Sequence, residues 1–348
     1  MNIYVLDRDL ERQQTPIEVY TSFLWCPSYD GLGTFELTCN TKYFSLLQTD
    51  MYIQNSDDDE HFGVIEYVDR VENLDNTVSL SVRGRMGESL LGRRVAQGAN
   101  DYTGVEPSYV IGDMVDKNCI SATDTTRNIP LLEVGSLATS DFGTVTYSSK
   151  SPNLLDEIVS LCKSSGLGFN LALDDVNKKL TLKVVKGLNR TADQEVNTQV
   201  ILSRDRGNIL SSQYTKDTTN DKNFAFIEDS EGAETTYSKS ATTGLDKKEV
   251  FLSLQTGVLQ EAKTQLSKLA VSELLDNVMN LRSNLVYGVD FSLGDVVTCM
   301  DSSLGFSTNL RVTGVTEAWG SQGYSISLTL GDEAPSLVDI ITSVILQQ

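Results

Sequence analysis

The chain has 348 residues, room for two or three domains at about 150 residues each. It carries 28 Lys+Arg against 48 Asp+Glu, a formal charge of −20, which argues against a nucleic-acid-binding protein and equally against docking on an anionic membrane. Hydrophobic residues make up 40%, which excludes wholesale disorder.

The first 85 residues read mainly as strands. Ile3–Leu6 and Ile17–Trp25 are apolar and rich in β-branched or aromatic residues. In Gly33–Cys39, Phe35, Leu37 and Cys39 alternate with Thr34, Glu36 and Thr38, the period of a half-buried strand. Met51–Gln54, Phe62–Val71 and Thr77–Arg83 follow, separated by turns at 28–33, 55–60 and 73–76. Many short strands with regular turns predict a barrel or sandwich. A short helix is expected at Met86–Arg94. Residues 95–150 read as loops and short strands, with one or two helical turns at Ile111–Asn118.

Residues 153–186 read as an α+β unit. Asn153 precedes an apolar stripe of Leu154, Leu155, Ile158, Leu161 and Cys162. Asp156 and Glu157 occupy the first turn and Gly166 the stop. A hairpin of Gly168–Leu173 and Lys179–Val185 follows. Further strands are expected at Val200–Leu202, Ile209–Thr215, Asn223–Glu228 and Thr235–Ser240. From Leu259 to Leu281, a stripe including Leu266, Leu274 and Val278 predicts the longest helix. Val296–Met300, Asn309–Trp319 and Ser325–Leu330 read as the last strands, turning at Gly320–Gly323. Ser336–Leu346 reads as a short amphipathic helix whose apolar side needs something to pack on. No run approaches the roughly 20 apolar residues of a membrane span, and no signal peptide is expected at the N-terminus.

The chemistry-bearing residues point away from catalysis. His61 is the single histidine, so a multi-histidine metal site is excluded. Asp57–Glu60 is the densest acidic run, but His61-Phe62 break the EF-hand pattern. That run reads as a solvated turn with His61 flanking it. Ser160 and Lys163 have the Ser-x-x-Lys spacing, yet the helix there uses both as its polar face. Gly166-Leu-Gly168 precedes a strand rather than opening a helix, so it is no phosphate cradle. Asp174-Asp175 sits in an exposed turn. The five cysteines, Cys26, Cys39, Cys119, Cys162 and Cys299, form no Cys-x-x-Cys pair and read as thiols kept reduced in a cytosol. No catalytic residue, cofactor site or metal site is expected.

Several segments, in order, resemble the tail hub or tail-associated proteins of siphophages that infect Gram-positive bacteria, akin to the baseplate hubs of contractile-tailed phages. They begin with Ile3–Asp7, Trp25 and Gly33-Thr-Phe-Glu-Leu37, and continue with Ser81-Val-Arg-Gly-Arg85, Glu88-Ser-Leu-Leu91 and Arg93-Arg94. Leu154–Asp156, Gly166–Phe169, Gly187–Thr191, Asn208, Tyr214, Asn223 and Thr243–Phe251 extend the series. Tyr287, Asp290-Phe-Ser-Leu-Gly-Asp-Val-Val297, Arg311–Glu317 and Leu328–Gly331 close it. Gly314 stands where the pattern often has Glu or another polar residue, and Met86 replaces a common Ser. The fold-motif residues singled out are Gly33, Phe35, Gly84, Arg85, Gly168, Asn208, Asp290, Gly294, Asp295, Glu317 and Gly331. Gly294 permits a tight turn and Asp295 caps it.

The resemblance implies a β-rich α+β multidomain chain. Residues 1–95 would be a tube-like β-barrel or sandwich domain and 96–200 an α+β middle domain. Residues 201–335 would be a second tube-like domain with a long helix at about 258–282, and 336–348 a C-terminal amphipathic helix. It implies a homotrimeric ring that closes the distal tail tube. The ring would contact the distal tail protein, the tape measure protein and tail-tip or fibre proteins. Phage DNA would pass through its lumen without specific binding, and the host surface would be met only indirectly. On that resemblance the chain would have room for the hub only. Rival readings are the hub of a contractile injection particle, a tail-tip glycan-binding protein with exposed aromatics, and a peptidoglycan hydrolase.

Overall fold

The computed structural model describes residues 1–331 apart from 14, 73–77, 98, 142, 151–152, 229–231, 254–265, 267–271 and 304. The N-terminal strands are β1 (Ile3–Leu6), β2 (Tyr20–Cys26), β3 (Thr34–Cys39), β4 (Tyr52–Asn55), β5 (Gly63–Glu72) and β6 (Val78–Met86). They pair antiparallel in the order β1-β4-β5-β6-β3-β2. The alternation in β3 sends Phe35, Leu37 and Cys39 inward, where they join Phe23, Trp25, Ile53, Ile65 and Val82. Each large side chain buried there stabilises by about 1.5–3 kcal/mol. The predicted short helix is a 3₁₀ segment, Gly87–Arg93.

The middle region contains β7 (Ala99–Val105), α1 (Pro107–Val115), β8 (Leu132–Leu137), β9 (Val145–Lys150), α2 (Leu154–Ser165), β10 (Gly168–Asp174) and β11 (Lys179–Val185). β10 and β11 form a hairpin, β8 adds to it in parallel, and β7 pairs with β9. α2 follows local rules. Asn153 Oδ1 accepts from Leu155 N at 3.0 Å, and Gly166 stops the helix in the left-handed region (φ 65°). α1 is longer than the expected turn or two, since Pro107 starts it early and a π-type turn, Asp116–Ile120, prolongs it. One apolar core runs from Leu6, Phe62 and Leu91 through Ile111 and Met114 to Ile158, Phe169 and Leu182.

The remaining strands are β12 (Ile201–Ser203), β13 (Ile209–Asp217), β14 (Phe224–Glu228), β15 (Glu234–Ser238), β16 (Glu249–Ser253), β17 (Ser272–Met279), β18 (Val296–Asp301), β19 (Phe306–Gly320) and β20 (Gly323–Gly331). β19 is shared. Its first half pairs with β18, and its second half lies between β20 and β2. The two halves of the chain therefore share one open sheet, β1-β4-β5-β6-β3-β2-β19-β20-β17-β13, with β12 and β18 branching off at β19. Among the described residues no sheet closes into a barrel, which corrects the barrel expectation. No helix among them is long and apolar enough to cross a membrane.

The long helix is a second correction. Residues 272–279 form β17, held between β13 and β20. The face that counts is Leu275, Asn277 and Met279, all buried, with Asp276 outside. A polar Asn at the centre of that face hides the period of two, and Leu274 with Val278 imitates a helical stripe. Most of 258–271 lies outside the described residues. Leu266, which is described, is helical and buried against Ala225, Ile227 and Leu252. The C-terminal helix at 336–348 also lies outside the described residues.

Candidate functional site

Three regions meet on Tyr29, in the loop after β2. The register of β19 against β20 shifts between Val312 and Gly314, and the Thr313 carbonyl accepts from Tyr29 N at 2.9 Å. The Tyr29 carbonyl accepts from Phe169 N of β10 at 3.0 Å. Its hydroxyl lies 3.2 Å from Gly166 O and 3.3 Å from Val185 O, to which it donates, and accepts from Gly187 N at 3.2 Å. The ring packs where β-carbons of Gly168 and Gly294 would otherwise stand, and the Arg311 guanidinium lies 5.1 Å from its centre. Burial pushes the Tyr29 phenol above its ordinary value, against the pull of the Gly187 amide and Arg311. The side chain is therefore a neutral pin.

The turn beside it is built by Gly294 and Asp295. Gly294 adopts φ +92°, a conformation that a side chain resists, and its carbonyl accepts from Arg311 Nη1 at 2.6 Å. Asp295, 3% exposed, accepts from Leu188 N (2.7 Å), Ser292 N (3.0 Å) and Arg190 Nε (2.7 Å). Its carboxylate thus caps its own turn and anchors the segment leaving β11.

A second polar cluster lies under the first sheet and corrects the solvated-turn reading. Asp57, Asp59 and Glu60 are exposed, but the side chains of Asp58 and His61 are only 15% and 13% exposed. Asp58 Oδ2 accepts from Trp25 Nε1 at 2.7 Å and lies 3.0 Å from His61 Nδ1. Glu60 holds Lys183 and Asn170 of the middle hairpin. Glu88, 3% exposed, accepts from Leu171 N at 3.1 Å through Oε1, while Oε2 has no hydrogen-bond partner among the described residues. Burial alone would neutralise both members of the Asp58–His61 pair. Their mutual attraction and hydrogen bonds outweigh it, so the Asp58 carboxyl falls below its ordinary value and the His61 imidazole rises above its own. Burial holds the Glu88 carboxyl above its ordinary value, against the nearby His61.

The structure brings together some of the singled-out residues and separates others. Gly168, Gly294 and Asp295 converge on Tyr29 or beside it. Gly33, Arg85 and Gly331 line a groove of about 610 Å³ between α2 and the two half-sheets. Phe35, Gly84 and Arg85 line a shallower one of about 480 Å³. Asn208 joins β12 to β13, donating to Ile201 O and accepting from Ser203 N, both at 2.8 Å. Asp290 closes its own turn by accepting from Val286 N. Glu317 faces Trp25 across the seam between the half-sheets and accepts from the Tyr324 hydroxyl at 2.5 Å. Burial raises the Glu317 carboxyl. At that seam Phe23 stacks on Trp319, with centres 5.5 Å apart, and Trp25 is fully buried.

Tyr29, Asp58, His61 and Glu88 were not identified as site residues from the sequence. His61 is three residues after Asp58 and directly before the apolar Phe62, which was the available signal. Glu88, just before Leu90-Leu91, offered a similar one. Among the described residues no group of three or more His, Cys, Asp or Glu is arranged to hold a metal ion. All five cysteines are free, and four of them are buried. The arrangement can fix surfaces against one another, and Tyr29 and Asp295 do so through main-chain contacts in all three regions.

Comparison with known proteins agrees with that architecture. The family described as "Siphovirus ReqiPepy6 Gp37-like protein" matches residues 2–332. The fold is similar to that of the 43 kDa tail protein of prophage MuSo2 from Shewanella oneidensis, with 12% identity and a TM-score of 0.61 over 95% of this chain and 97% of that one. It is also similar to a tail protein from Neisseria meningitidis MC58, with 14% identity and a TM-score of 0.60 over 95% and 96%. Prophage tail protein gp18 from Listeria monocytogenes EGD-e shares 13% identity and a TM-score of 0.58 over 100% and 99%. No curated protein matches.

Proposed function

Since the chain belongs to the siphovirus ReqiPepy6 Gp37-like family, we propose that it is a structural component of a phage tail, acting as the hub at the distal end of the tube. Three copies form a ring. The tube-like modules at 1–95 and 201–335 line it, and 96–200 braces it from outside. The distal tail protein sits above, and tip or fibre proteins sit below. The tape measure protein and the DNA occupy the lumen, and the host surface is reached through the tip proteins. The role is mechanical rather than catalytic.

The observation that carries this reading is the edge-to-edge joining of two antiparallel half-sheets through β2 and β19. Each subunit thereby contributes two comparable wall segments, so three subunits supply six. Among the described residues β13 has one sheet neighbour, and β4 pairs with β5 only at Val64 and Gly63, leaving Tyr67–Glu72 open on that side. Open edges invite pairing, and head-to-tail repetition of the subunit pairs them in a closed ring. A net charge of −20 suits a lumen through which DNA slides without sticking.

The test has two arms. Sedimentation of the purified chain is expected to give three times its monomer mass. Immunogold staining of induced particles is expected to label tail tips. A monomer together with unlabelled tails overturns the hub reading. Label on cell walls would favour the glycan-binding rival, although Trp25 is buried and Trp319 packs against Phe23 and Tyr324.

A further inference from the structure

Despite its acidity, the chain gathers arginines at one place. Arg93, Arg94 and Arg127, with Gln97 and Thr126, line an open pocket of about 530 Å³ beyond the 3₁₀ segment. Two of the guanidiniums are held by groups that carry no charge. Arg127 donates to Gln97 Oε1 at 2.6 Å, to Val95 O at 2.5 Å and to Asn118 Oδ1 at 3.3 Å. Arg94 donates to Arg127 O at 2.6 Å and to Arg93 O at 3.1 Å. Among the described residues neither has a carboxylate within ion-pair distance. Arg93 shares Asp50 with Arg8, at 2.8 and 2.6 Å. The other nearby acid, Asp124, is committed to the amide and hydroxyl of Thr126. Four guanidiniums thus face two carboxylates, in a chain where acids outnumber bases.

We propose that this pocket docks an acidic segment of a neighbouring polypeptide. Guanidiniums held in place by neutral acceptors lose little freedom on binding and keep their charge and their spare N–H groups for a carboxylate. The pocket is larger than a single inorganic anion needs. A duplex is disfavoured, because DNA binding needs cations spread along many phosphates and the remainder of this surface repels them. The site requires only an acidic neighbour, so it stands or falls separately from the hub assignment.

The probe is a fluorescently labelled octaglutamate peptide, titrated into the full chain at about 50 mM salt, where screening is weak. Saturable binding is expected. Arg93→Gln, an exposed substitution, should weaken it about tenfold, the size of one charge-assisted contact. Asp50→Asn should tighten it, because Arg8 and Arg93 are released. Lys179→Gln, at a remote surface pair with Glu133, should leave it unchanged. No saturable binding, or equal binding by wild type, Arg93→Gln and Asp50→Asn, overturns the proposal. Tighter binding of oligothymidine or of inorganic phosphate at the same residues also overturns it, in favour of a nucleic-acid or free-anion site.

Discussion

The turns at 286–295 and 57–61 both look like acidic punctuation between strands, and each buries one carboxylate. Asp295 is paired with Arg190, whose charge persists at every relevant pH, and is bound by two main-chain amides. Asp58 is paired with His61, whose charge is lost as pH rises through its raised folded value. The first turn is a permanent fastening between the hairpin and the C-terminal half of the sheet. The second is a fastening whose strength depends on pH. The same residue type at a turn thus takes its consequence from the partner that the fold supplies.

The largest effect is expected at Gly294. A valine there would be forced to φ +92° with its β-carbon inside the Tyr29 ring. Strain and overpacking together cost about 4 kcal/mol, a large share of the stability of a typical domain. Gly294→Val should leave little soluble protein, and a well-expressed variant with an unchanged melting curve would falsify the junction. Next comes Asp295→Ala, which strands the largely buried Arg190 and leaves two amides unanswered. A loss of about 3 kcal/mol is expected in urea unfolding. Asp58→Ala, whose partner can shed its charge at high pH, should cost less, and a larger loss there would invert the comparison.

How much of this was legible follows from the distance between partners. α2 could be read in full because Asn153, Asp156, Glu157 and Gly166 act within one or two turns of themselves. The Gly294–Asp295 turn was legible as a turn, but Arg190 lies 105 residues away and nothing local announces it. Tyr29 makes its hydroxyl contacts with residues 137 to 158 positions distant, so it passed as one more aromatic in a loop. β17 was misread because its partners, β13 and β20, decide its conformation while Asn277 interrupts its buried face. The Asp58–His61 pair was within reach of local reading. The run of exposed acids around it disguised one buried member.

The next expectation concerns pH. His61 holds its proton more tightly when folded, so its contribution is complete below about 6.5 and is lost as pH rises through its higher folded value. Asp58 is held low, so its contribution is present above about 3.8 and is lost as pH falls through its folded value. Glu88, held high, adds a further decline above about 4.5. Wild-type stability should therefore decline as pH climbs from about 6.5, and His61→Gln should remove that decline at a cost of about 1–2 kcal/mol at pH 6. Glu88→Gln should flatten the slope that begins lower. Denaturant midpoints across this range decide the matter. A His61→Gln profile parallel to wild type would mean that the pair does not titrate as a fastening.

The smallest effect sharpens the comparison from the other side. Arg85 and Glu66 form a two-bond pair at 2.7 and 2.7 Å, as good in distance as Arg190 with Asp295, but on an exposed part of the sheet. Water and salt screen it, so a double-mutant cycle should return about 0.5 kcal/mol, shrinking further at high salt. If the cycle returned a value comparable with the Asp295 loss, distance alone would set the strength of these pairs. The small value expected assigns the difference instead to burial, and to the two main-chain amides that Asp295 satisfies and Glu66 does not.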